Sequence, residues 1–471
     1  MTRLATAAAV TIASLLLLGC GHDPLPEFER LSSAETGYYS SVIEPPPEGQ
    51  VVLGDESTLN DVVAYAAQNS PGLVASFNRY KAAMEQIPQA RSLPDPRFLY
   101  RYWIVEPMML DGSVRNVFEL SQEFPWFEKL ILRGDVAARE AQAAFKKFQA
   151  EKLALRARVV EAYFEYYYLH QSQAINDESL RQLSSVEGIV SARSATGGAQ
   201  ADLLRTQVEI ARLRNEVETI RDMLPPAQAK LNALLNRPTD APLPRPQVAR
   251  FERMDVDAAG LAALLAAHNP ELAGMGVEIQ KQAKEIELAK KEYLPDIMLG
   301  FEYDQMVPNA GSDENPNDQK ALMASLNIPI WHEKYAAGVR QARYRYLAAV
   351  ADKLQKTNDL SVELKEAIFS LRNAQRKIDL YGQSLLPRAR QTLSSVRSTY
   401  QTGGGDFADM IESHRVLLDF ELSVRRAEAD RHIAMARIES LVGLPRRHWT
   451  PQQQQPASAP ATAPATAPSA R

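Results

Sequence analysis

An internal duplication constrains the fold of this 471-residue chain more than any other feature. Leu93-Pro94-Asp95 recurs as Leu294-Pro295-Asp296, 201 residues later. The segment from Ser121 to Pro125 recurs as Ser325 to Pro329, at an offset of 204. Ordered matches at a nearly constant offset are the signature of repeated structural units. We therefore predict two copies of one unit, which differ by short insertions.

The repeats and the composition between them suggest a plan for the whole chain. A third match, Thr196-Gly197-Gly198 with Thr402-Gly403-Gly404, shows that the duplication extends well beyond the middle of each unit. We predict these segments: a signal peptide at 1–19, an N-terminal tether at 20–54, the first repeat at 55–238, a Pro-rich linker at 239–254, the second repeat at 255–445 and a Gln/Pro/Ala-rich disordered tail at 446–471.

The N-terminus resembles the signal of a bacterial lipoprotein. A positive residue, Arg3, precedes an apolar run that is too short to span a bilayer, and the run ends in Leu17-Leu18-Gly19-Cys20. Cys20 is the only cysteine in the chain and stands where a lipobox requires it. We predict cleavage before Cys20 and acylation of that residue, and Gly21 favours the outer membrane. The alternative is a plain secretory signal with an incidental cysteine.

Composition argues against several classes of function. A single cysteine excludes an intrachain disulfide framework and a multi-cysteine zinc site. The net charge of −5 argues against a nucleic-acid-binding surface. The seven histidines have neither metal-site nor triad spacing, and the glycine-rich turns lack the Lys and Ser/Thr of a phosphate loop. We therefore expect no enzyme activity, no metal site and no cofactor.

Each repeat has the same predicted order of elements: helix, strand, strand, long helix, shorter helix. The opening helix has about 35 residues and is capped in the first repeat by Thr58 with Asp61. The predicted strands are 97–106, 114–124, 297–306 and 319–328. The predicted long helices are 133–194 and 337–401, and the shorter ones are 200–236 and 406–443. Pro225-Pro226 and Pro387 should kink or interrupt their helices.

Side chains alternate along the predicted strands. Phe98, Tyr100 and Tyr102 share one face, as do Leu299, Phe301 and Tyr303. Ten residues of alternating polarity are typical of a transmembrane β-strand, and tryptophans near the strand ends suit interfacial girdles. The alternative is a soluble hairpin packed on helices. If the strands span a membrane, the polar residues on the opposite face line a barrel lumen; otherwise they form an ordinary polar face. These residues are Arg101, Glu119, Glu123, Glu302 and Asp304.

Four strands are too few to close a barrel. A sheet in lipid must be closed, because an open edge leaves backbone groups unsatisfied. Bacterial barrels start at eight strands, so the chain must oligomerise if its strands span the membrane. Three copies would supply twelve strands.

These features together resemble the TolC family of outer-membrane efflux ducts. The resemblance rests on the duplicated element order, on both Leu-Pro-Asp motifs and on the glycine-rich turns followed by Asp202-Leu203-Leu204 and Asp409-Met410-Ile411. The lipobox resembles the lipidated branch, and Ser92 to Pro96 with Glu123 to Trp126 resemble the heavy-metal efflux subgroup. The family fold, mainly helical with a membrane β-barrel portion, implies a trimeric 12-stranded barrel continued by a long periplasmic α-barrel.

The resemblance also implies partners and a gate. The expected partners are a periplasmic adaptor, an inner-membrane pump of the RND type, outer-membrane lipid and two further copies of the chain, with no nucleic acid. In the family, acidic residues after the second glycine turn ring the periplasmic entrance, and here those residues are Asp409 and Glu412. Alternatively, they are acids favoured by the helix dipole. The predicted function is an outer-membrane exit duct; the alternative is a periplasmic coiled-coil structural or adaptor lipoprotein.

Overall fold

The structure is a computed structural model. It describes residues 53–54, 57–109, 112–195, 200–246, 256–309, 316–402 and 404–449. Cys20, the signal peptide, most of the tether, the glycines at 197, 198 and 403 and most of the tail lie outside the described residues. The predictions for those segments stay predictions.

The first repeat contains four helices and three strands. Their bounds are α1 Leu59–Asn69, α2 Pro71–Arg91, β1 Arg97–Tyr102, β2 Met108–Met109, β3 Gly112–Phe124, α3 Phe127–Ala195 and α4 Gln200–Leu234.

The second repeat follows the same order. Its elements are α5 Ala258–His268, α6 Pro270–Lys291, β4 Ile297–Val307, β5 Gln319–Leu326, α7 His332–Lys377, a π-helical segment Ile378–Leu385, α8 Leu386–Gln401 and α9 Phe407–Val442, with a short 3₁₀ turn at Arg446–His448.

The opening helix of each repeat differs from the prediction of one helix of about 35 residues. In both repeats it is two helices, divided at Ser70 and at Asn269. Both residues are extended, because the proline that follows disfavours helical backbone at the residue before it. Each proline then begins the next helix, where its missing N–H costs nothing. The predicted cap is confirmed: the Thr58 amide and hydroxyl both donate to Asp61 at 2.8 Å.

The prolines inside the helices behave in two ways. The expected interruption at Pro225-Pro226 is wrong, since α4 continues through both residues, and a kink there stays a prediction. Ile220 before the pair and Leu231 after it are buried, so packing on both sides offsets the lost helical hydrogen bonds. Pro387 lies in the first turn of α8, directly after the π-helical segment. There the regular α-helical hydrogen bonding of the long helix is interrupted, as predicted.

The strands form one antiparallel sheet in the order β1-β3-β4-β5, with β2 paired to β3. The hairpins β1–β3 and β4–β5 each belong to one repeat, and β3–β4 joins the two repeats. The first strand is shorter than predicted and ends at Tyr102, while β3 begins two residues earlier than expected. Among the described strands, β1 and β5 are therefore the edges of the sheet.

The described residues divide into two compact units. The first unit contains the described residues of 70–151 and 271–356. The second contains the described residues of 53–69, 152–270 and 357–449. Each unit draws on both repeats. The predicted segment boundaries divide the chain along its sequence, whereas the two units are groups of residues in contact. Those boundaries stay a prediction.

Each unit has its own apolar core. In the unit with the sheet, Tyr80, Met84 and Ile87 of α2 pack on three alanines of α3. In the helical unit, one cluster combines α3, α4, α8 and α9; its buried members include Leu183, Ile210, Tyr400, Phe407 and Met410.

Candidate functional site

The strand register sorts the sheet into two chemically different faces. Directly paired residues of neighbouring antiparallel strands point to the same face. Leu120 pairs with Phe301, and Phe118 lies between Tyr100 and Tyr303. We call this the aromatic face; its aromatic and leucine residues include Phe98, Tyr100, Tyr102, Phe118, Leu120, Leu299, Phe301, Tyr303, Leu322 and Leu326.

The other face carries the carboxylates. Glu119 pairs with Glu302, and Val117 pairs with both Arg101 and Asp304. Glu123 has the same parity as Glu119. The structure therefore brings all five predicted lumen residues to one face, which we call the acidic face: Arg101, Glu119, Glu123, Glu302 and Asp304. That this face lines a lumen stays a prediction.

Exposure of the two faces is the reverse of that in a sheet packed on a core. On the aromatic face, Phe98 is 67% exposed and Leu322 is 75% exposed. On the acidic face, the four carboxylate residues are only partly exposed, and Val117 beside them is buried. A soluble half-buried sheet would bury its aromatic side chains and expose its carboxylates. None of the described residues forms a layer that covers the aromatic face of this sheet.

Like charges lie close together on the acidic face. Glu119 and Glu302 are directly opposite each other, an arrangement that destabilises a sheet unless water or a cation compensates it. Arg101 lies over the Trp103 ring, 5.6 Å from its centroid. Asp304 Oδ1 is enclosed and accepts no hydrogen bond from the described residues. The face therefore presents a negative surface suited to attracting cations.

A buried lysine holds the end of the sheet, and sequence reasoning missed it. The ammonium of Lys129, at the start of α3, donates to Asp296 Oδ1 and to the Leu294 carbonyl, each at 2.9 Å. The Trp126 amide donates to the same Asp296 oxygen at 3.0 Å. The second Leu-Pro-Asp motif thus ties the start of β4 to the helix that follows β3. Its recurrence in the sequence was the available signal.

The predicted gate residues lie at the start of α9. Asp406 caps this helix by accepting a hydrogen bond from the Ala408 amide at 2.9 Å. Asp409 is in the first turn and Glu412 is about one turn further on, and both are exposed. They line an open groove of about 480 Å³ together with Arg388 and Phe420. The structure brings the two acids together; whether they ring an entrance stays a prediction, because either acid is also favoured near a helix start.

An ion pair next to the gate residues was not predicted. Glu209 of α4 is buried and accepts a hydrogen bond from Arg415 of α9. This hydrogen bond, with the positive charge of Arg415, lowers the pKa of Glu209. Arg415 also lies 4.0 Å from Glu412, so the charge of Glu412 is partly compensated. Only tertiary packing brings α4 and α9 together here, so the sequence offered no signal.

Two buried histidines also escaped sequence reasoning, which found no partner for either. His414 lies 2.7 Å from the Ser179 hydroxyl. His432 stacks on Phe164 with ring centroids 4.2 Å apart and planes 5° apart. Burial, reinforced by the charges of Arg431 and Arg446, lowers the pKa of His432 to about 4. Both histidines therefore pack in the helical unit as neutral rings near pH 7.

Nowhere in the described ranges do three or more His, Cys, Asp or Glu side chains converge as metal ligands would. No described helix combines the length and the apolar character that crossing a membrane requires.

The chain is similar in sequence to known proteins of the outer membrane and of secretion. Residues 261–444 match the family model described as outer membrane efflux protein. The alkaline protease secretion protein AprF of Pseudomonas aeruginosa is 21% identical over 402 residues, which is 80% of this chain and 83% of that protein. The toxin and drug export protein A of Aggregatibacter actinomycetemcomitans is 22% identical over 311 residues, 64% of this chain and 66% of that protein, just under two thirds of its length.

A solved outer membrane protein has a similar fold. The outer membrane protein VceC of Vibrio cholerae superimposes with a TM-score of 0.69 at 18% identity, over 82% of this chain and 96% of that chain. At this identity the likeness shows the fold. The family is one of transport channels rather than enzymes. The sequence of residues 261–444 is thus that of the outer membrane efflux protein family, and the fold of the chain is similar to that of a solved outer membrane protein.

Proposed function

We propose that this protein is the outer-membrane exit duct of a tripartite efflux system. Three copies form the duct, and it passes substrates received from an inner-membrane pump of the RND type and a periplasmic adaptor. The match of residues 261–444 to the outer membrane efflux protein family supports the duct. The three-copy assembly and the pump and adaptor partners are inferences from the resemblance to TolC-type ducts.

The reversed exposure of the strand sheet is the observation that carries this proposal. Phe98, Phe301 and Leu322 are exposed on the aromatic face, whereas Glu119 and Glu302 are less exposed on the other face. Burying apolar surface contributes roughly 25 cal/mol per Å², so an exposed aromatic face is stable only against lipid or another apolar surface. Lipid on the aromatic side and water on the acidic side satisfy both faces.

The alternative, a coiled-coil spacer or adaptor lipoprotein, accounts for less of the chain. A spacer needs long helices, which are present, but it has no use for four paired strands with an exposed aromatic face. We therefore assign the strands to the membrane and the helices to the periplasm.

Acylation of Cys20 would add a lipid anchor at the N-terminus of the mature chain. Cys20 lies outside the described residues, so this proposal rests on the lipobox alone. The intact mass of protein extracted from membranes checks it: an unmodified Cys20, or cleavage at another residue, contradicts the anchor.

Charge along the duct gives it a preference for cations. Trimeric rings of Asp409 and Glu412 would place carboxylates at the periplasmic entrance, and the acidic face would continue the negative charge through the barrel. Rings of carboxylates favour cations and disfavour anions in a pore. The duct itself performs no chemistry, since a water-filled path and a gated entrance suffice.

Planar-bilayer recording of the purified protein tests the duct. We expect discrete conductance steps with cation selectivity. The double variant Glu119→Gln with Glu302→Gln should keep the steps and lose part of the selectivity, because it removes charge without changing shape. Folded protein that incorporates into the bilayer but gives no conductance would contradict the proposed function.

A further inference from the structure

The two ends of the sheet differ in what is attached to them. At one end β1 and β4 begin and β3 and β5 end, and all four strands are joined to helices there. At the other end the strands are joined to each other by the connections 103–111 and 308–318. Under the proposed function the helices lie in the periplasm, so the end with the two connections is the outer mouth of the duct.

A β-bulge changes the side-chain pattern of β3 near the outer mouth. The register with β4 shifts across Arg115, which is one residue more than β4 has opposite it. Val117 pairs with Asp304 of the acidic face, and Val114 pairs with Met306. In a regular strand, residues three positions apart point to opposite faces. Because directly paired residues share a face, the bulge instead brings Val114 to the face of Val117.

These residues form a small apolar cluster on the acidic face. Val114, Val117 and Met306 are only 3%, 4% and 7% exposed, and Trp103 packs against them. A side chain on the open face of a single sheet is this well buried only if other groups cover it. We call these four residues the mouth cluster.

Trp103 lies on the acidic face. Its amide donates to the Arg115 carbonyl at 2.9 Å, which continues the pairing of β1 with β3 by one residue beyond Tyr102. Because side chains alternate along a strand, Trp103 shares the face of Arg101, whose guanidinium lies over the indole ring. Trp103 therefore does not belong to the aromatic face, where a tryptophan of an interfacial girdle would lie.

The lining of the acidic face changes from charged to apolar within two residues. Along β4, Glu302 and Asp304 are followed on the same face by Met306. Along β3, Glu119 is preceded on that face by Val117. The carboxylates therefore stop short of the outer mouth, and the mouth cluster takes their place.

Two contacts hold the connection that carries Trp103 against β3. The bulged Arg115 donates to the Glu106 carboxylate at 2.5 Å. Met108 pairs with Ser113 in the short β2–β3 ladder. The bulge therefore both turns Val114 toward the cluster and supplies the cation that ties down the connection.

We propose that the mouth cluster is an apolar constriction of the outer mouth, separate from the predicted periplasmic gate, and that Trp103 narrows the opening. This inference rests on the proposed function, because it takes the acidic face to line a duct built from three copies. Three tryptophans then lie at one level of the pore. Hydrophobic constrictions close pores by dewetting. Hydrated solutes therefore pass only when the connection at 103–109 moves away from the lumen.

Access of an external reagent to a thiol inside the lumen tests this constriction. Glu302→Cys places a thiol on the acidic face, deeper than the mouth cluster. Intact cells are treated with a maleimide-polyethylene glycol too large for general porins, and the gel shift of the full-length protein measures labelling. We expect slow labelling of Glu302→Cys and several-fold faster labelling when Trp103→Ala is added, because the apolar barrier is gone.

Further variants match this design. Tyr102→Ala removes the neighbouring ring on the aromatic face and should leave the rate unchanged. Trp103→Phe keeps an apolar ring, so labelling should stay slow. Glu106→Gln leaves Trp103 in place but weakens the tie to Arg115, and should give an intermediate rate. Ile104→Cys, at a position that is 92% exposed, should be labelled quickly in every background. The parent, with Cys20 alone, should not be labelled.

The outcomes separate this inference from the proposed function. Labelling is scored on protein that a lysine-reactive cross-linker shows as trimer, so misfolded variants do not count. If Glu302→Cys is labelled equally fast with Trp103 and with Trp103→Ala, the mouth cluster is not a constriction, while the duct stands. If Ile104→Cys is labelled but Glu302→Cys is not labelled in any background, the acidic face does not line an open path, and the duct itself is wrong.

Discussion

The strand sheet and the helical unit place the same kinds of side chain in opposite positions. In the helical unit, Tyr163 and Phe164 are each 2% exposed. In the sheet, Phe98 and Phe301 are exposed. Glu119 and Glu302 are less exposed than these two phenylalanines. The hydrophobic effect acts on both regions, so the difference indicates different surroundings: the helical unit buries its rings within the chain, whereas the sheet needs an apolar environment outside the chain.

A charge placed on each face of the sheet in turn should have the largest effect. Phe301→Arg places a charge on the aromatic face, and Glu302→Arg, one residue away, places it on the acidic face. If the aromatic face contacts lipid, Phe301→Arg costs about 2–4 kcal/mol at the bilayer centre and Glu302→Arg costs little. Recovery of cross-linkable trimer from outer membranes measures both effects.

The soluble-hairpin alternative makes the opposite prediction for this pair of variants. An arginine at an exposed position of a soluble sheet is tolerated, and an arginine at a partly buried position is not. Equal recovery of the two variants, or better recovery of Phe301→Arg, would show that the sheet does not lie in the membrane.

Protonation of His432 should destabilise the helical unit at low pH. The pKa of His432 is lowered to about 4 from an ordinary value of about 6.5, chiefly by burial. The unfolded chain therefore binds this proton more readily, so the stability contribution is complete above pH 6.5 and is lost as the pH falls toward 4. We expect a loss of up to about 3 kcal/mol over that window.

Thermal unfolding at a series of pH values measures this loss. His432→Phe keeps a ring against Phe164 and carries no titrating group, so its midpoint should fall less between pH 7 and pH 4 than that of the parent. The difference between the two profiles isolates His432 from the other titrating groups. Parallel profiles would show that His432 does not couple protonation to folding.

The ion pair between α4 and α9 should contribute a smaller amount. Arg415→Met leaves the buried carboxylate of Glu209 without its main partner, which costs about 1–3 kcal/mol. Adding Glu209→Gln should restore part of this loss, because the uncompensated charge is gone. Urea unfolding of both variants measures the effect. If the single variant is as stable as the parent, the pair is a surface contact without consequence.

The gate variants should have the smallest effect on stability. Asp409 and Glu412 are exposed, so Asp409→Ala with Glu412→Ala should change the unfolding free energy by less than about 1 kcal/mol. We expect the double variant to weaken current block by multivalent cations from the periplasmic side. Asp202→Ala, at the start of α4 in the first repeat, is the matched control and should leave the block unchanged. An unchanged blocking affinity in the double variant would exclude both acids from the gate.

Local patterns predicted much of the fold and part of the site. The alternation of Phe98, Tyr100 and Arg101 predicted the faces of the sheet, because side chains in a strand alternate with a period of two. The register then brought the five proposed lumen residues together, as expected. The contacts of Lys129, Glu209 and His432 could not be predicted. Their partners lie more than 160 residues away along the chain, and no periodicity encodes such a contact.

The duplication, the order of elements and the two faces of each strand could be predicted from sequence, because these depend on side chains close together in the chain. Tertiary structure decided which strands lie at the edges and whether a proline breaks a helix. Pro71 ends a helix where its neighbour is free to extend, whereas Pro225 and Pro226 lie within a helix that packing holds on both sides. The difference is one of energy: a local preference of a few kcal/mol decides the conformation only where long-range burial does not exceed it.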